Sequence, residues 1–375
     1  MIAGGIALLL GLVFRPLGQV AGWVAWVFLT YTIEMVRLTA RAPLASVPVK
    51  MENWMVWGYY VLLAGLTWWF QQARERRRAL WTRFNANMRT KFILGASAVL
   101  LILGISARRG LPDGKLHVTF LNVGQGDAIF IQTPSGRQVL IDGGPSETAL
   151  LSQLGRRMPF WDCSIDLVLL THPESDHVTG LIAVLERYRV DAVVFREMAL
   201  DSATYARWLE VVAAEGAAVH EGKAGLRLAL DEADARHPVE MVVLHPGSQL
   251  EEDANNNSVV TRLTYDQVSL LLTGDSEAEV EANLVGAHRD APLQSTVLKV
   301  QHHGSCSSTS QAFLEAVDPE VVVISVGADN RFGHPCDEVL QRLDGLPVYR
   351  TDERGAVEIV SNGTQIRVEV QRSGK

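Results

Sequence analysis

Ile165-Asp166-Leu167-Val168-Leu169-Leu170-Thr171-His172-Pro173-Glu174-Ser175-Asp176-His177 runs from an apolar, strand-like stretch directly into two histidines and two carboxylates. A chain that turns just after a strand can aim alternate side chains, His172 and Glu174, at one ion while Asp176 and His177 reach its neighbour. Imidazole nitrogens and carboxylate oxygens suit zinc, and also manganese or iron. No cysteine lies in the run, which weighs against a closed thiolate structural site. The competing reading is a solvated polar turn, since such residues also populate ordinary loops.

Outward from this run the pattern alternates between short apolar stretches and helical ones. Strands are predicted at 116–122, 127–133, 138–141, 165–170, 190–195 and 239–244, with helices at 146–154, 180–188 and 202–215. The second half repeats the style. It has strands at 258–264, 267–272, 295–300, 321–326 and 357–360, and helices at 278–285, 310–316 and 336–343. The charged, alanine-rich stretch 228–236 reads as an exposed connection. Two strand-rich halves interleaved with helices predict an α/β fold of four layers, two packed sheets with helices outside.

Further polar motifs fall at the ends of these strands. Asn122 to Asp127 is glycine-rich; it reads as a hairpin corner or as a device that places Asp127 at the site. Asp142-Gly143-Gly144 ends the third strand, and Asp142 is a candidate to orient a ligand histidine from behind. Asp275 ends another apolar strand, either capping the next helix or bridging two ions so that both engage one substrate. Of His302-His303, adjacent on the chain and so aimed apart, one completes the second ion's shell; the reading favours His303 without deciding it. Ser305 and Asn257 are candidates to contact substrate. Arg331 is a candidate for a phosphoryl oxygen, and His334 for that or for protonating a leaving group. The predicted ligands are thus His172, Glu174, Asp176, His177, Asp275 and His303, with Asp176 and His334 as catalytic residues. Asp127, Asp142, Asn257, His302, Ser305 and Arg331 stand behind them or toward substrate.

Residues 1–110 differ in kind. Four apolar segments, 2–14, 17–31, 55–70 and 92–105, are each slightly short for a membrane span but carry many tryptophans and no long polar stripe. They predict a membrane region of three or four helices, followed by a second domain at 111–375. The arginine-rich loop 71–91 is expected to stay cytoplasmic, which would deliver the second domain to the extracytoplasmic side. Residues 1–113 hold 13 basic and 4 acidic residues, whereas the remainder holds 21 and 38. The second domain therefore lacks the basic excess of a protein that grips duplex nucleic acid through its general surface. Cys163, Cys306 and Cys336 form no CxxC pair and read as unpaired small hydrophobes rather than as a disulfide framework.

Taken together, Asn122 to Asp127, Asp142 to Gly144, His172 to His177, Leu272 to Asp275, His302 to Ser305 and Gly333-His334 resemble the motifs of the metallo-beta-lactamase superfamily. They are most similar to its branch at the C-terminus of ComEC/Rec2 competence proteins, membrane components of bacterial DNA uptake. The resemblance covers 115–365. It implies an αβ/βα sandwich holding two divalent ions, zinc or manganese. His172 stands as first ligand, Asp176 and His177 as the acidic pair, Asp275 as the bridge and the His302-His303 pair as the late histidine. Glu174 departs from the branch, which usually carries aspartate there. The resemblance further implies a hydrolase of DNA phosphodiesters, anchored in the cell membrane. The apolar start is too short for a channel, so a separate channel subunit and other DNA-uptake components are expected partners. Two other readings remain: a docking module without catalysis, and a small-molecule ester hydrolase.

Overall fold

A computed structural model describes residues 15–40, positions 60, 63, 67, 92, 93 and 95–97, and residues 111–372 apart from 160, 235 and 288–292. Near the start lies α1, Arg15–Ala40. Pro16 falls in its first turn, where a missing N–H costs no hydrogen bond. Among the described residues no helix is long and apolar enough to cross a membrane. This overturns the expected multi-pass membrane topology, and with it the extracytoplasmic placement. The physical reason is legible in α1 itself: Gln19 and Glu34 bound a largely apolar, uncharged stretch at 20–33 that is shorter than the ~17–25 residues a span needs. The segments 2–14, 55–70 and 92–105 lie wholly or largely outside the described residues.

From residue 116 the chain builds two sheets. The first contains β1 (Leu116–Phe120), β2 (Ile129–Gln132), β3 (Gln138–Ile141), β4 (Ser164–Leu169), β5 (Arg189–Phe195) and β6 (Ala218–Glu221). The second is made of β7 (Arg227–Asp231), β8 (Val239–His245), β9 (Val260–Tyr265), β10 (Val268–Leu272), β11 (Val297–Lys299), β12 (Val321–Ile324) and β13 (Val348–Arg350). The chain then returns to the first sheet with β14 (Val357–Ser361) and β15 (Ile366–Val370). Strand order is β15-β14-β1-β2-β3-β4-β5-β6 in one sheet and β13-β12-β11-β10-β9-β8-β7 in the other. In each sheet the antiparallel part gives way to parallel pairing, at β3–β4 and at β10–β11.

Three apolar clusters fill the three gaps between four layers. Leu116, Val118, Ile131, Ile141 and Leu169 face Met241, Leu270, Leu272 and Val323 between the sheets. Outside the first sheet, Phe130, Leu140 and Val168 pack on α2 (Glu147–Leu154), α3 (Ser175–Leu185) and α4 (Ala203–Glu215). Outside the second, Leu298, Val322 and Ile324 pack on α5 (Ala278–Ala287), α6 (Gln311–Val317) and α7 (Asp337–Arg342). β12, all Val and Ile, is buried along its whole length, as a strand covered on both faces must be. The four-layer αβ/βα sandwich expected from the sequence is the fold observed.

Several boundaries differ. Helix α3 begins at Ser175 rather than 180, because extended Glu174 takes the N-cap position and the helix starts at once. Consequently Asp176 and His177 stand in a helical first turn and not in a loop. β7 occupies part of the stretch read as a connection. β6 is exposed throughout and β15 only half-buried, so neither carries the apolar signal of a central strand. The cysteine reading is also corrected. Cys306 and Cys336 form a disulfide with Cα atoms 5.3 Å apart, and only Cys163 is free. The fold brings their loops together, with Cys336 N donating to Gly304 O at 2.8 Å.

Candidate metal centre

The carboxyl ends of β3, β4, β10 and β11 open onto one crevice, the usual place for a site in parallel α/β sheets. Beyond β3, Asp142 turns into the left-handed region at φ 57°. Gly143 N then donates to His177 O at 2.7 Å, and Gly180 N to Gly144 O at 3.1 Å. A Cβ on Gly180 would lie 2.0 Å from Gly143 O, so bare backbone is needed for helix α3 to approach this closely. The Asp142 carboxylate accepts from Thr171 N at 2.8 Å, from Thr171 Oγ1 at 2.7 Å and from His177 Nδ1 at 2.8 Å. That last bond turns His177 Nε2 toward the crevice.

The second sheet supplies the facing half. After β10, Asp275 N donates to Ser258 Oγ at 3.1 Å, which fixes the loop. After β11 the chain makes a short 3-10 turn in which His302 and His303 both hold positive φ, 44° and 55°. The sequence reading assumed extended backbone here; the turn is what separates the two side chains. His303 Nδ1 donates to Ser325 O at 2.9 Å, leaving Nε2 aimed inward.

The inward atoms converge. His177 Nε2 and His303 Nε2 each lie 3.2 Å from Asp275 Oδ2, and His303 Nε2 is 3.5 Å from Asp176 Oδ2. One ligand atom from each of Asp176, His177, Asp275 and His303 falls within 4.8 Å of all the others. A second set, Asp127, Asp142 and His177, meets the same limit. The Nε2 atoms of His172, His177 and His303 are buried without a hydrogen-bond partner. Orphaned imidazole nitrogens facing carboxylates are what a divalent ion requires, so this donor set fits a metal.

The electrostatics agree. Burial opposes charge on His303, but Asp275 and Asp176 outweigh it and raise the imidazole to about 10. His177 is likewise lifted well above its ordinary value against burial, by Asp275 and Asp142. Burial would raise the Asp275 carboxyl, yet His303, His177 and Lys299 hold it well below the usual range. Asp176, also opposed by burial, is lowered to about 2 by His303 and His177. Burial and the neighbouring His177 push His172 well below the imidazole range. The site is rich enough in negative charge to hold protons wherever a cation is missing.

The remaining sequence candidates occupy distinct places. His172 is buried beside His177, ring centroids 4.1 Å apart. Glu174 is exposed at the N-cap of α3 and is not part of either converging set. His302 Nε2 lies 4.0 Å from Asp275 Oδ2, and its Nδ1 donates to Glu277 Oε1 at 3.1 Å. His334 faces it across 5.6 Å between ring centroids. Asn257 ties down its own loop, its amide nitrogen donating to Glu251 O at 2.9 Å and Asp253 O at 2.7 Å. Ser305 Oγ pairs with Ser307 Oγ at 2.8 Å, and the Arg331 guanidinium sits 5.0 Å over the Phe332 ring. Asp127 is buried and paired with Lys299.

Sequence reasoning missed Lys299, Glu277 and Ser258. Lys299 had a signal: a lone charge inside the apolar run Val297-Leu298-Lys299-Val300 is either an edge residue or a buried partner for carboxylates. Glu277 and Ser258 had none, since their roles depend on which loops meet.

Comparison with known proteins adds kinship. The profile of the Metallo-beta-lactamase superfamily matches residues 121–328. The chain is 30% identical over 260 residues to ComE operon protein 3 of Bacillus subtilis, covering 64% of this chain and 32% of that protein. It is 31% identical over 272 residues to Competence protein ComA of Neisseria gonorrhoeae, covering 70% and 35% respectively. The chain thus spans about a third of the length of these curated relatives. Among solved structures, the metallo-beta-lactamase fold protein YhfI from Bacillus subtilis aligns with a TM-score of 0.43 at 11% identity. That alignment covers 62% of this chain and 96% of YhfI.

Proposed function

The chain belongs to the metallo-beta-lactamase superfamily, and we propose that it is a metal-dependent phosphodiesterase whose substrate is DNA. The observation that carries the reading is the convergence of Asp176, His177, Asp275 and His303 from two sheets, with their imidazole nitrogens otherwise unpartnered. In this reading these four residues and His172 would hold two divalent ions, zinc or manganese. Bound there, the ions supply hydroxide near neutral pH and offset charge gathering on the phosphoryl oxygens.

The chain's own groups do the rest. Asp142 and the Ser325 carbonyl fix which nitrogen His177 and His303 present. His302, steadied by Glu277, stands with His334 at the outer edge of the centre. There the two imidazoles can hydrogen-bond a phosphoryl oxygen or pass a proton to the leaving oxygen. Support for DNA as substrate comes from relatives named for competence; other DNA-uptake components would then be partners.

The test is to supply the full chain with Mn²⁺ or Zn²⁺ and follow cleavage of single-stranded DNA beside a panel of carboxyl esters. Cleavage that disappears in Asp275→Asn is the expected result. Measured metal occupancy with ester turnover but intact DNA would assign the site to small-molecule hydrolysis. A folded chain that takes up no metal would leave a docking module.

A further inference from the structure

Lys299 is fully buried, one of the largest side chains among the described residues to be so, and its strand β11 lies inside the sheet between β10 and β12. Its ammonium donates to Gly274 O at 2.8 Å, pairs with Asp127 Oδ2, and stands 3.6 Å from Asp275 Oδ1. Two of its N–H bonds thereby have oxygens to address, Gly274 O and Asp127 Oδ2, with the Asp275 carboxylate close by as a charge partner. Asp127 is itself a member of the inner donor set with Asp142 and His177. Both carboxylates are about 1% exposed, so water contributes little to balancing them.

We propose that the Lys299 ammonium is a built-in cation that takes the place of a metal at Asp127, within the inner set of Asp127, Asp142 and His177, confining metal to the outer set of Asp176, His177, Asp275 and His303. A tethered single charge neutralises Asp127 and cannot exchange with solution. Its charge also reaches Asp275, whose Oδ1 lies 3.6 Å away, while Oδ2 is the oxygen that meets His177 and His303. This inference rests on the metal-centre reading and adds a positioning residue to it.

Three variants test it by metal count from elemental analysis, by calorimetric affinity and by melting temperature with and without chelator. Lys299→Met removes the tethered charge while keeping the apolar stem. It should bind one ion per chain more than the wild type, and its melting temperature should rise more on adding metal. Asp127→Asn leaves the ammonium unbalanced beside Asp275 and should weaken metal binding about tenfold with no change in count. The double variant removes both charges and should recover the wild-type count and affinity. An unchanged count in folded Lys299→Met overturns the proposal. Where that variant does not fold, unaltered affinity in Asp127→Asn, or no recovery in the double variant, overturns it as well. A wild-type chain that takes up no metal at all refutes the metal centre itself, which is a different result.

Discussion

Asp142 offers no atom to the outer donor set, yet it decides which nitrogen His177 presents. Asp142→Asn should therefore weaken metal binding by about 10–100-fold while the fold persists; calorimetric titration beside circular dichroism checks both halves. The protons that His303 and His177 carry in the metal-free protein give a second prediction. A raised pKa contributes stability in full below the unfolded value and loses it as pH rises through the folded value, here about 10 for His303. Asp176 acts at the other end, its contribution present above its unfolded pKa and lost only as pH falls through about 2. Metal takes imidazole without its proton, so loading releases protons. The gap in melting temperature between loaded and chelated protein should widen from slightly acidic to alkaline pH; a constant gap would show that these imidazoles hold no proton. At this scale the residues just after strands were legible, because a strand end fixes where the next side chains go. Glu174 and Lys299 were not. Whether a carboxylate points in or out of a helix cap, and whether a lone lysine meets acids, depends on partners more than 20 residues away.

The mounting of helix α3 is the element on which the first half of the centre depends. Gly143 and Gly180 touch backbone to backbone, and any Cβ at Gly180 would strike Gly143 O. Gly180→Ala should cost about 1–3 kcal/mol by overpacking and displace His177 from Asp275, so metal affinity falls further than melting temperature suggests. Parallel titrations of the variant with and without metal would expose that disproportion. On the opposite side, the Cys306–Cys336 bond closes a loop over a separation of 30 residues and joins the segments that carry His303 and His334. Its reduction should lower stability by about 3 kcal/mol, seen as an earlier melt in reductant that Cys163→Ser does not reproduce. Elements with strong apolar runs or serine caps, such as β12 and α4, were readable locally. The start of α3 was misread because Ser175, Asp176, His177 and Thr179 are polar and hide the helical periodicity, although the buried face already begins at His177. The edge strands β6 and β15 escaped because exposed edges do not select apolar residues.

Over the whole molecule, the layer count followed from alternation of strand and helix, whereas the return of β14 and β15 to the first sheet could not be read from local pattern. The apolar start shows the opposite failure. Hydropathy and tryptophan content suggested a span, but the largely apolar, uncharged stretch of α1 between Gln19 and Glu34 is too short to cross. Large-scale packing also sets the width of the crevice, since Ile141, Leu169, Leu272 and Val323 lie between the sheets directly beneath it. Leu272→Ala should cost about 2–5 kcal/mol and loosen metal binding without touching a ligand, which chelator-competition rates would report. Asp176 and His177 come from the first sheet, Asp275 and His303 from the second, so a filled centre spans the seam between them. Under a pulling force that seam has a rivet: coordinate bonds add to the apolar contacts and to the Lys299–Asp127 pair in resisting the sheets' sliding apart. The loaded protein should part at higher tension than the chelated one, and Asp275→Asn should remove the difference.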